Sequence, residues 1–228
     1  MTTASHRFTA LATAALTLAL LGWDAARQDM ALARWWGDAH GFALRDSWLL
    51  TDVLHDGARR LAWAVTLALC LGVWWPWGWL RGIRRARRLQ LAGTTLAAAL
   101  AVSTLKSFSG ASCPWDMSDF GGVARHASLG LQRWLAWTQG DGGSGRCFPA
   151  GHASAGFSFV GGYFVFRDTQ AALARGWLAA AVAAGLVLGL AQQMRGAHFM
   201  SHTLWSFWVC WCVAWAIDAA ARRLPGYA

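Results

Sequence analysis

Residues 176–217 read GWLAAAVAAGLVLGLAQQMRGAHFMSHTLWSFWVCWCVAWAI, and this stretch decides the fold class of the chain. Among Asp, Glu, Lys and Arg it contains a single residue, Arg195, which separates uncharged windows of 19 and 22 residues. An α-helix needs about 20 apolar residues to cross the roughly 30 Å hydrocarbon core of a bilayer. The stretch therefore predicts two transmembrane helices joined by a short turn around Arg195.

Windows of this kind recur along the whole chain of 228 residues, which is 56% apolar and only 14% charged. Gaps of 16 to 22 residues between successive Asp, Lys or Arg side chains span residues 8–23, 61–80, 89–105, 147–166, 176–194 and 196–217. This composition excludes disordered and fibrous classes. We predict an all-α fold, a six-span transmembrane helical bundle in which residues 1–228 form a single integral membrane domain. A soluble bundle of buried helices is the alternative.

The first window is the shortest, because 16 residues of helix reach only about 24 Å. A cleaved signal peptide would also fit it, since basic residues precede the window and Ala25-Ala26 follow it. The pair Trp23-Asp24 is a poor cleavage site for a peptidase that selects small residues. An uncleaved first span is therefore the favoured interpretation.

The distribution of arginine predicts the orientation. Five arginines crowd into residues 81–88, and short loops rich in arginine stay on the cytoplasmic side. Placing that loop inside also places both termini in the cytoplasm. The inside segments then carry a net charge of +8 and the outside segments +1, which sum to the formal +9 of the chain. The basic balance is thus a topology signal, and we expect the membrane bilayer, and no nucleic acid, as the partner.

The outer segment 24–60 contains a candidate interfacial helix. Apolar side chains lie there beside aspartates, as in an amphipathic helix that lies on a membrane surface. The apolar set is Trp48, Leu49, Leu50, Val53 and Leu54, and the acidic set is Asp46, Asp52 and Asp56. His55 lies in the same stretch, either as a polar position of that helix or as a residue that overhangs a site at this end of the bundle, and we assign it no role from the sequence.

Three clusters of reactive residues fall on the outer face in this topology. Lys106, the only lysine of the chain, closes the third window, and Pro149-Ala150-Gly151-His152 opens the fourth. Residues 195–202, which bridge the last two windows, include three more such residues, Arg195, His198 and His202. Polar groups at the ends of spans are costly in a bilayer, so they are functional hypotheses by default.

Together the clusters fit phosphoryl transfer without a metal. Backbone N–H groups around Gly151, at the start of a helix, form a cradle for phosphate. Cations at Lys106 and Arg195 would neutralise the non-bridging oxygens, a task that Mg²⁺ performs in other enzymes. Two histidines on opposite sides of the phosphate would divide the work, one attacking phosphorus and the other protonating the leaving oxygen.

These residues resemble the type 2 phosphatidic acid phosphatase and vanadium haloperoxidase superfamily, in its membrane lipid-phosphatase branch. The family pattern is Lys, six residues, Arg-Pro; then Pro-Ser-Gly-His; then Ser-Arg, five residues, His, three residues, Asp. This chain has Lys106, six residues, Cys113-Pro114; then Pro149-Ala150-Gly151-His152; then His198, three residues, His202. The resemblance covers residues 106–202, and its three motifs occur in the family's order.

The resemblance implies a role for each matching residue. Lys106 would bind phosphate, and Gly151 would donate backbone hydrogen bonds to it. His152 would be the general acid and His198 the nucleophile that becomes a phosphohistidine.

The chain also departs from the family pattern at several positions. Cys113 and Gln192 stand where the family has arginines, and Ala150 replaces the serine of the second motif. His202 replaces the aspartate and would orient the nucleophile in its stead. Arg195 is the candidate for the missing positive charge. The candidates for the missing carboxylate are Asp116 and Asp119.

Each site residue also has a purely structural interpretation. Lys106 would extend its ammonium group to the interface from a span end, and His152 would simply begin a helix. His198 and His202 have the i, i+4 spacing of zinc ligands, with Asp116 as a third donor. A zinc protease would carry a glutamate within such a pair, and the chain contains no glutamate. We predict neither a metal nor a cofactor.

The predicted function is that of a membrane lipid phosphatase, with its active site facing the periplasm of a bacterial inner membrane. By resemblance, the candidate substrates are phosphatidic acid or phosphatidylglycerol phosphate, an isoprenyl diphosphate carrier, and the phosphates of lipid A. A phosphotransferase that uses another lipid as acceptor is a close variant. The alternative from another class is a non-catalytic protein that binds or transports anionic lipids through a degenerate site, which the missing arginines favour.

The cysteines suggest a covalent link between two of the motifs. Three of the five lie inside predicted spans, whereas Cys113 and Cys147 fall in one outer loop, in an oxidising compartment. Both lie close to motif residues, so convergence of the motifs would bring the two thiols near the roughly 5.5 Å Cα separation of a disulfide. The alternative is two unrelated thiols.

Overall fold

The computed structural model describes residues 3–125 and 138–224, and most of them are helical. The helices, in chain order, are α1 Thr3–Ala25, α2 Gln28–Ala33, α3 Ala58–Trp74, α4 Arg85–Phe108, α5 Gly151–Phe157, α6 Gly161–Phe166, α7 Ala171–Met194 and α8 Met200–Ala221. Shorter 3₁₀ turns lie at Gly78–Gly82, Pro114–Asp116, Ser118–Phe120 and Ser158–Val160, and a π-helical segment at Leu49–Gly57. Two antiparallel strands of two residues each, β1 Gly37–Asp38 and β2 Gly41–Phe42, depart from the all-α prediction.

Four helices in the described ranges are long and apolar enough to cross a membrane. They are Arg7–Ala25 within α1, and the whole of α4, α7 and α8. Large apolar side chains face outward from them, as a lipid environment requires: Leu11 is 71% exposed, Leu100 67% and Val187 54%. The helical, membrane-protein class is therefore confirmed in its coarse form, and the count of six spans stays a prediction.

The two remaining windows form shorter helices, because a proline near one end of each window limits the helix. Window 61–80 yields α3, which ends at Trp74 because Pro76 disfavours the helical conformation in the residue before it. Window 147–166 yields a helix only from Gly151, two residues after Pro149, and a 3₁₀ turn separates α5 from α6. Neither α3 nor α5 reaches the 24 residues of α4.

The core of the bundle is built on a close crossing of α5 and α7. A Cβ atom added to Gly156 would lie 2.3 Å from the backbone nitrogen of Gly185, and one added to Gly185 would meet the Phe157 ring at 2.2 Å. Small residues let helix backbones approach closely in membranes. The crossing therefore places α5, and with it the second motif, firmly in the bundle centre.

α1 is attached to α8 by three tryptophan side chains. Each indole N–H of this set donates a hydrogen bond to an oxygen on α1, and the donor–acceptor distances are 2.8 to 3.0 Å. The pairs are Trp205 to Asp24, Trp208 to Thr17 and Trp211 to Thr13. These three tryptophans therefore contact α1 through the indole N–H groups.

A buried polar cluster joins four segments at the end of the bundle opposite Lys106. Asp218, near the end of α8, accepts hydrogen bonds from Arg167 at 2.7 Å and from Gln90 at 2.9 Å. The Arg167 guanidinium also donates to the Thr9 hydroxyl of α1 at 3.1 Å. Gln90 lies near the start of α4 and Lys106 near its end, about 24 Å along the helix. The two ends of the bundle therefore have different chemistry.

The segment between α1 and α3 forms a layer that covers the end of the bundle at which Lys106 lies, and we call it the outer layer. The predicted amphipathic stretch forms the π-helical segment Leu49–Gly57, in which Leu50 is buried. A separate apolar cluster packs this layer against the bundle. In that cluster Phe42 and Phe120 pack with ring centroids 4.8 Å apart, and Phe199 is buried beside them. The layer therefore lies directly over the turn that carries His198.

Candidate active site

The three motif segments meet at the end of the bundle that the outer layer covers. Cys113 and Cys147 form a disulfide, with their Cα atoms 5.2 Å apart. The N–H of Trp115, in the first motif loop, donates to the Gly196 carbonyl at 2.9 Å. The N–H of Ala150 donates to the His202 carbonyl at 3.1 Å. The loop of each motif therefore contacts another motif through covalent or backbone hydrogen bonds.

A cavity of about 360 Å³ opens between α3, α4 and α5. Lys106, Gly151 and His152, three of the predicted site residues, line it, together with two arginines that the sequence did not single out, Arg59 and Arg146. Below them the wall is formed by small or apolar residues of the three helices. These are Ala62, Trp63, Thr66, Ala99, Ser103, Ser154, Ala155 and Ser158.

Lys106 lies directly against the start of α5. A Cβ atom added to Gly151 would lie 3.6 Å from the Lys106 ammonium nitrogen, an ordinary van der Waals distance. The first N–H groups of a helix have no acceptor within the helix. A phosphate oxygen at this point would thus meet the lysine cation and backbone donors together.

His152 is the second residue of α5, and its ring is covered by the ring of His55. The two imidazole centroids are 3.6 Å apart, with 31° between the ring planes. Within the described residues, the Nδ1 atom of His152 is buried and has no hydrogen-bond partner. This ring is therefore held by stacking and by its helix.

His198 is almost fully buried, with 2% of its surface exposed, in the turn between α7 and α8. Burial holds the pKa of His198 well below its ordinary value, and the positive charge of nearby Lys106 lowers it further. The backbone carbonyl of Cys147 acts in the opposite direction. His198 is therefore neutral at neutral pH, which is the form in which an imidazole can attack phosphorus.

The start of α8, which carries His202 and follows the turn of His198, is fixed by a buried aspartate of α2. Asp29 accepts hydrogen bonds from the backbone N–H of Ser201 at 2.9 Å and from the Ser201 hydroxyl. The indole of Trp23 donates to the same carboxylate at 3.0 Å. The ring of His202 lies edge-on to that of His198, with centroids 5.8 Å apart. Asp29 thus anchors the start of α8 between the two histidines.

Arg195 lies at the end of α7 and, like His198 and His202, is not among the residues that line the cavity. Its Nε donates to the Arg45 carbonyl at 2.8 Å, and its Nη1 donates to Gln192 Oε1 at 3.1 Å. Two of its donors therefore hold the outer layer and the end of α7. Gln192, at the position of the family arginine, serves Arg195 as an acceptor.

The two candidate carboxylates have other partners. Asp116 accepts from the Ser144 hydroxyl at 2.6 Å and from the Cys113 N–H at 3.3 Å. Asp119 forms an ion pair with Arg34 at 3.1 Å. In the part of the chain that the structure describes, no group of three His, Cys, Asp or Glu side chains gathers to hold a metal ion.

Sequence reasoning missed four residues that shape this site: His55, Asp29, Arg59 and Arg146. The sequence position of Arg146 could have indicated its role, because Arg146 lies directly before Cys147 and six residues before His152, the last residue of the second motif. The remaining three come from the outer segment before α3 or from the first turn of α3, where no motif spacing relates them to the histidines.

Comparison with known proteins identifies the family. The sequence model of the PAP2 superfamily matches residues 87–224, which include all three motif segments. A search among curated proteins found no match, and neither did a search among solved structures. The family match covers more than half of the chain and agrees with the motif positions in the site described above. The chain therefore belongs to the PAP2 superfamily.

Proposed function

We propose that this protein is a lipid phosphatase that hydrolyses a phosphate monoester or diphosphate on a lipid headgroup. Membership of the PAP2 superfamily supports a phosphoric ester hydrolase. The lipid substrate is our own inference, and it rests on the shape of the cavity.

The observation that carries the proposal is how far the cavity extends along the helices. On α3 its wall runs from Arg59 to Thr66, and on α4 from Lys106 back to Ala99. Seven residues of helix correspond to about 10 Å, so the cavity reaches two turns below its cationic end. Trp63 in this wall is 59% exposed, so the wall is open at this residue. A headgroup phosphate at Lys106 would thus leave its hydrocarbon chain beside the lipid-facing surface.

The first chemical step would transfer the phosphoryl group to His198. A lone pair of the neutral His198 ring attacks phosphorus, and the bond from phosphorus to the lipid oxygen breaks. His152, as imidazolium, gives its proton to that leaving oxygen. Lys106 and the N–H groups at Gly151 stabilise the charge on the non-bridging oxygens.

The second step would release phosphate by reversing these roles. A water molecule gives its proton to the neutral His152 and attacks phosphorus, and the phosphorus–nitrogen bond to His198 breaks. Inorganic phosphate leaves, and both histidines return to their starting states. His202 would orient the His198 ring during both steps.

We also propose six spans, cytoplasmic termini and a periplasmic active site in a bacterial inner membrane. The helices alternate in direction, since Thr9, Gln90 and Asp218 meet at one end while Lys106 and His152 lie at the other. The arginine-rich residues 81–88 belong to the first end, as the positive-inside rule requires. Cysteine accessibility to a membrane-impermeant reagent at positions 82 and 144 would test this orientation.

The test of the function is phosphate release by the purified full-length protein in lipid nanodiscs. The panel comprises phosphatidic acid, phosphatidylglycerol phosphate, an isoprenyl diphosphate and lipid A, with glycerol phosphate as a control without an acyl chain. We expect release from a lipid phosphate, none above background from glycerol phosphate, and loss of nearly all turnover in His198→Ala. Equal rates with and without the hydrocarbon chain would contradict the lipid assignment.

The burial of His198 favours a second candidate, a non-catalytic protein that binds anionic lipids. A nucleophile must reach its substrate, and only 2% of this side chain is exposed. The two candidates differ in the acid-labile phosphohistidine that only the enzyme forms. Brief incubation with radiolabelled substrate, followed by alkaline denaturation, would trap it in the enzyme. Lipid binding without label or released phosphate would establish the second candidate.

A further inference from the structure

The stacking of His55 on His152 is the strongest feature that the family resemblance leaves unexplained. His55 lies in the π-helical segment Leu49–Gly57, whereas the family match begins at residue 87. π-helical turns are rare and are frequently found at functional sites. This one places an imidazole, 28% exposed, directly over the ring of the proposed general acid.

Asp56 determines which ring nitrogen of a neutral His55 carries the proton. Its carboxylate oxygen lies 2.9 Å from Nδ1 of His55, and an ionised carboxylate only accepts hydrogen bonds. The proton of a neutral His55 is therefore on Nδ1. Burial lowers the pKa of His55, and the hydrogen bond to Asp56 opposes that change. The same bond lowers the pKa of Asp56.

The surroundings of His152 make its protonated form difficult to reach. Burial disfavours the imidazolium form of His152, and so does the positive charge that His55 carries when it is protonated. Lys106, Arg59 and Arg195 act on His152 in the same direction, and His198 lies within electrostatic range. A general acid must nevertheless carry a proton when the leaving oxygen departs. The electron-rich face of a neutral aromatic ring attracts a cation placed over it. His55 offers such a face to His152 at contact distance.

We infer that His55, in its neutral form, is a positioning residue for the general acid. Its ring stacks on His152 and stabilises the imidazolium form of His152, while Asp56 orients the His55 ring. This inference rests on the proposed phosphatase function. His55 neither touches phosphate nor transfers a proton in this scheme. It acts only through His152, so its removal should change when His152 is protonated.

The variant His55→Ala tests the inference through kcat, KM and the pH dependence of kcat in the nanodisc assay. We expect kcat to fall about tenfold, the size of one lost cation–π contact, with KM changed less than about twofold. The basic limb of the kcat profile should move to lower pH, since the imidazolium loses a stabilising neighbour. His55→Phe keeps a ring face without ring nitrogens, so it should restore most of kcat and the position of the basic limb.

Two further variants separate this role from general damage. Asp56→Asn keeps an acceptor for Nδ1 and loses the negative charge, so its profile should fall between those of wild type and His55→Ala. His40→Ala removes a histidine of the same outer layer that is 95% exposed, and its profile should equal that of wild type. A lower kcat in His55→Ala with an unmoved basic limb, or no rescue by phenylalanine, would overturn the inference.

Binding of inorganic phosphate distinguishes failure of this inference from failure of the proposed function. Calorimetry on the full-length protein would follow phosphate affinity between pH 5 and pH 8 without requiring turnover. A loss of affinity in His55→Ala that grows with pH, and that His55→Phe reverses, supports the inference even if no lipid on the panel is hydrolysed. Identical affinity profiles for wild type and His55→Ala would refute it even in an active enzyme.

Discussion

The guanidinium of Arg167 lies 2.7 Å from the carboxylate of Asp218, and the two side chains are only 6% and 0% exposed. Arg222 donates to the same carboxylate at 2.8 Å, and Gln90 donates to its other oxygen. One carboxylate therefore joins α4, α8 and the segment after α6. Because this cluster lies at the far end from Lys106, it serves the architecture and not the chemistry of the site.

Loss of Asp218 should destabilise the bundle. Asp218→Ala removes the carboxylate from a buried ion pair, and breaking such a pair from one side costs about 3 kcal/mol or more. We expect a correspondingly lower free energy of unfolding in a titration with sodium dodecyl sulfate. Asp38→Ala, at a side chain that is 77% exposed, is the control and should change little. Equal stability of both variants would show that the cluster contributes nothing.

The crossing of α5 and α7 should not accept a methyl group. In Gly156→Ala the new Cβ would overlap the Gly185 backbone, and overpacking of this kind costs about 1–3 kcal/mol. Gly176→Ala is the matched control, because nothing lies within 4 Å of a Cβ at that helical glycine. Thermal unfolding in detergent would compare them. If both variants melt at the wild-type temperature, the crossing is looser than the structure shows.

Removal of the disulfide should weaken the outer layer. The bond joins residues 34 positions apart, and a loop of that length corresponds to about 4 kcal/mol in the chain-entropy model. We expect Cys113→Ser with Cys147→Ser to lower the unfolding temperature and turnover together. Cys70→Ser, a free cysteine of α3, is the control. Two freely alkylated thiols in the protein isolated from its membrane without reductant would contradict the pairing.

The cations of the cavity should matter more for substrate affinity than Arg195 does. Arg59 and Arg146 line the cavity, whereas two donors of Arg195 are engaged by Arg45 and Gln192. We expect Arg59→Ala and Arg146→Ala each to raise KM about tenfold, the effect of one lost charge-assisted hydrogen bond. Arg195→Ala should raise it less. The opposite ranking in the phosphate-release assay would show that Arg195 reaches the substrate.

Charge spacing predicts the bundle well where charges mark the helix ends. Four windows coincide with helices that meet the length and composition of a span. It fails where an uncharged residue ends a helix, as Pro76 does after α3 and Pro149 does before α5. Neither proline carries a charge, so the spacing of charged residues does not indicate the helix ends at these positions.

Motif spacing predicts site residues only where neighbouring positions share a helix or a turn. Lys106, Gly151 and His152 line one cavity because each lies at a helix end of known direction. His55 comes 97 positions before His152, and only the folded outer layer brings the rings together. No local sequence pattern predicts the contact of His55 with His152, because tertiary packing alone brings the two rings together.

The tryptophan contacts between α1 and α8 bear on how the bundle is assembled during synthesis. Their partners are separated by 181 to 198 residues, so the ribosome makes α1 long before the helix that pairs with it. Meanwhile the hydroxyl hydrogens of Thr13 and Thr17 are bound by carbonyls one turn earlier in α1, at 2.8 Å. Each hydroxyl oxygen still has a free lone pair for an incoming indole. The last helix thus docks onto the first without breaking a hydrogen bond that satisfied α1 while it stood alone in lipid.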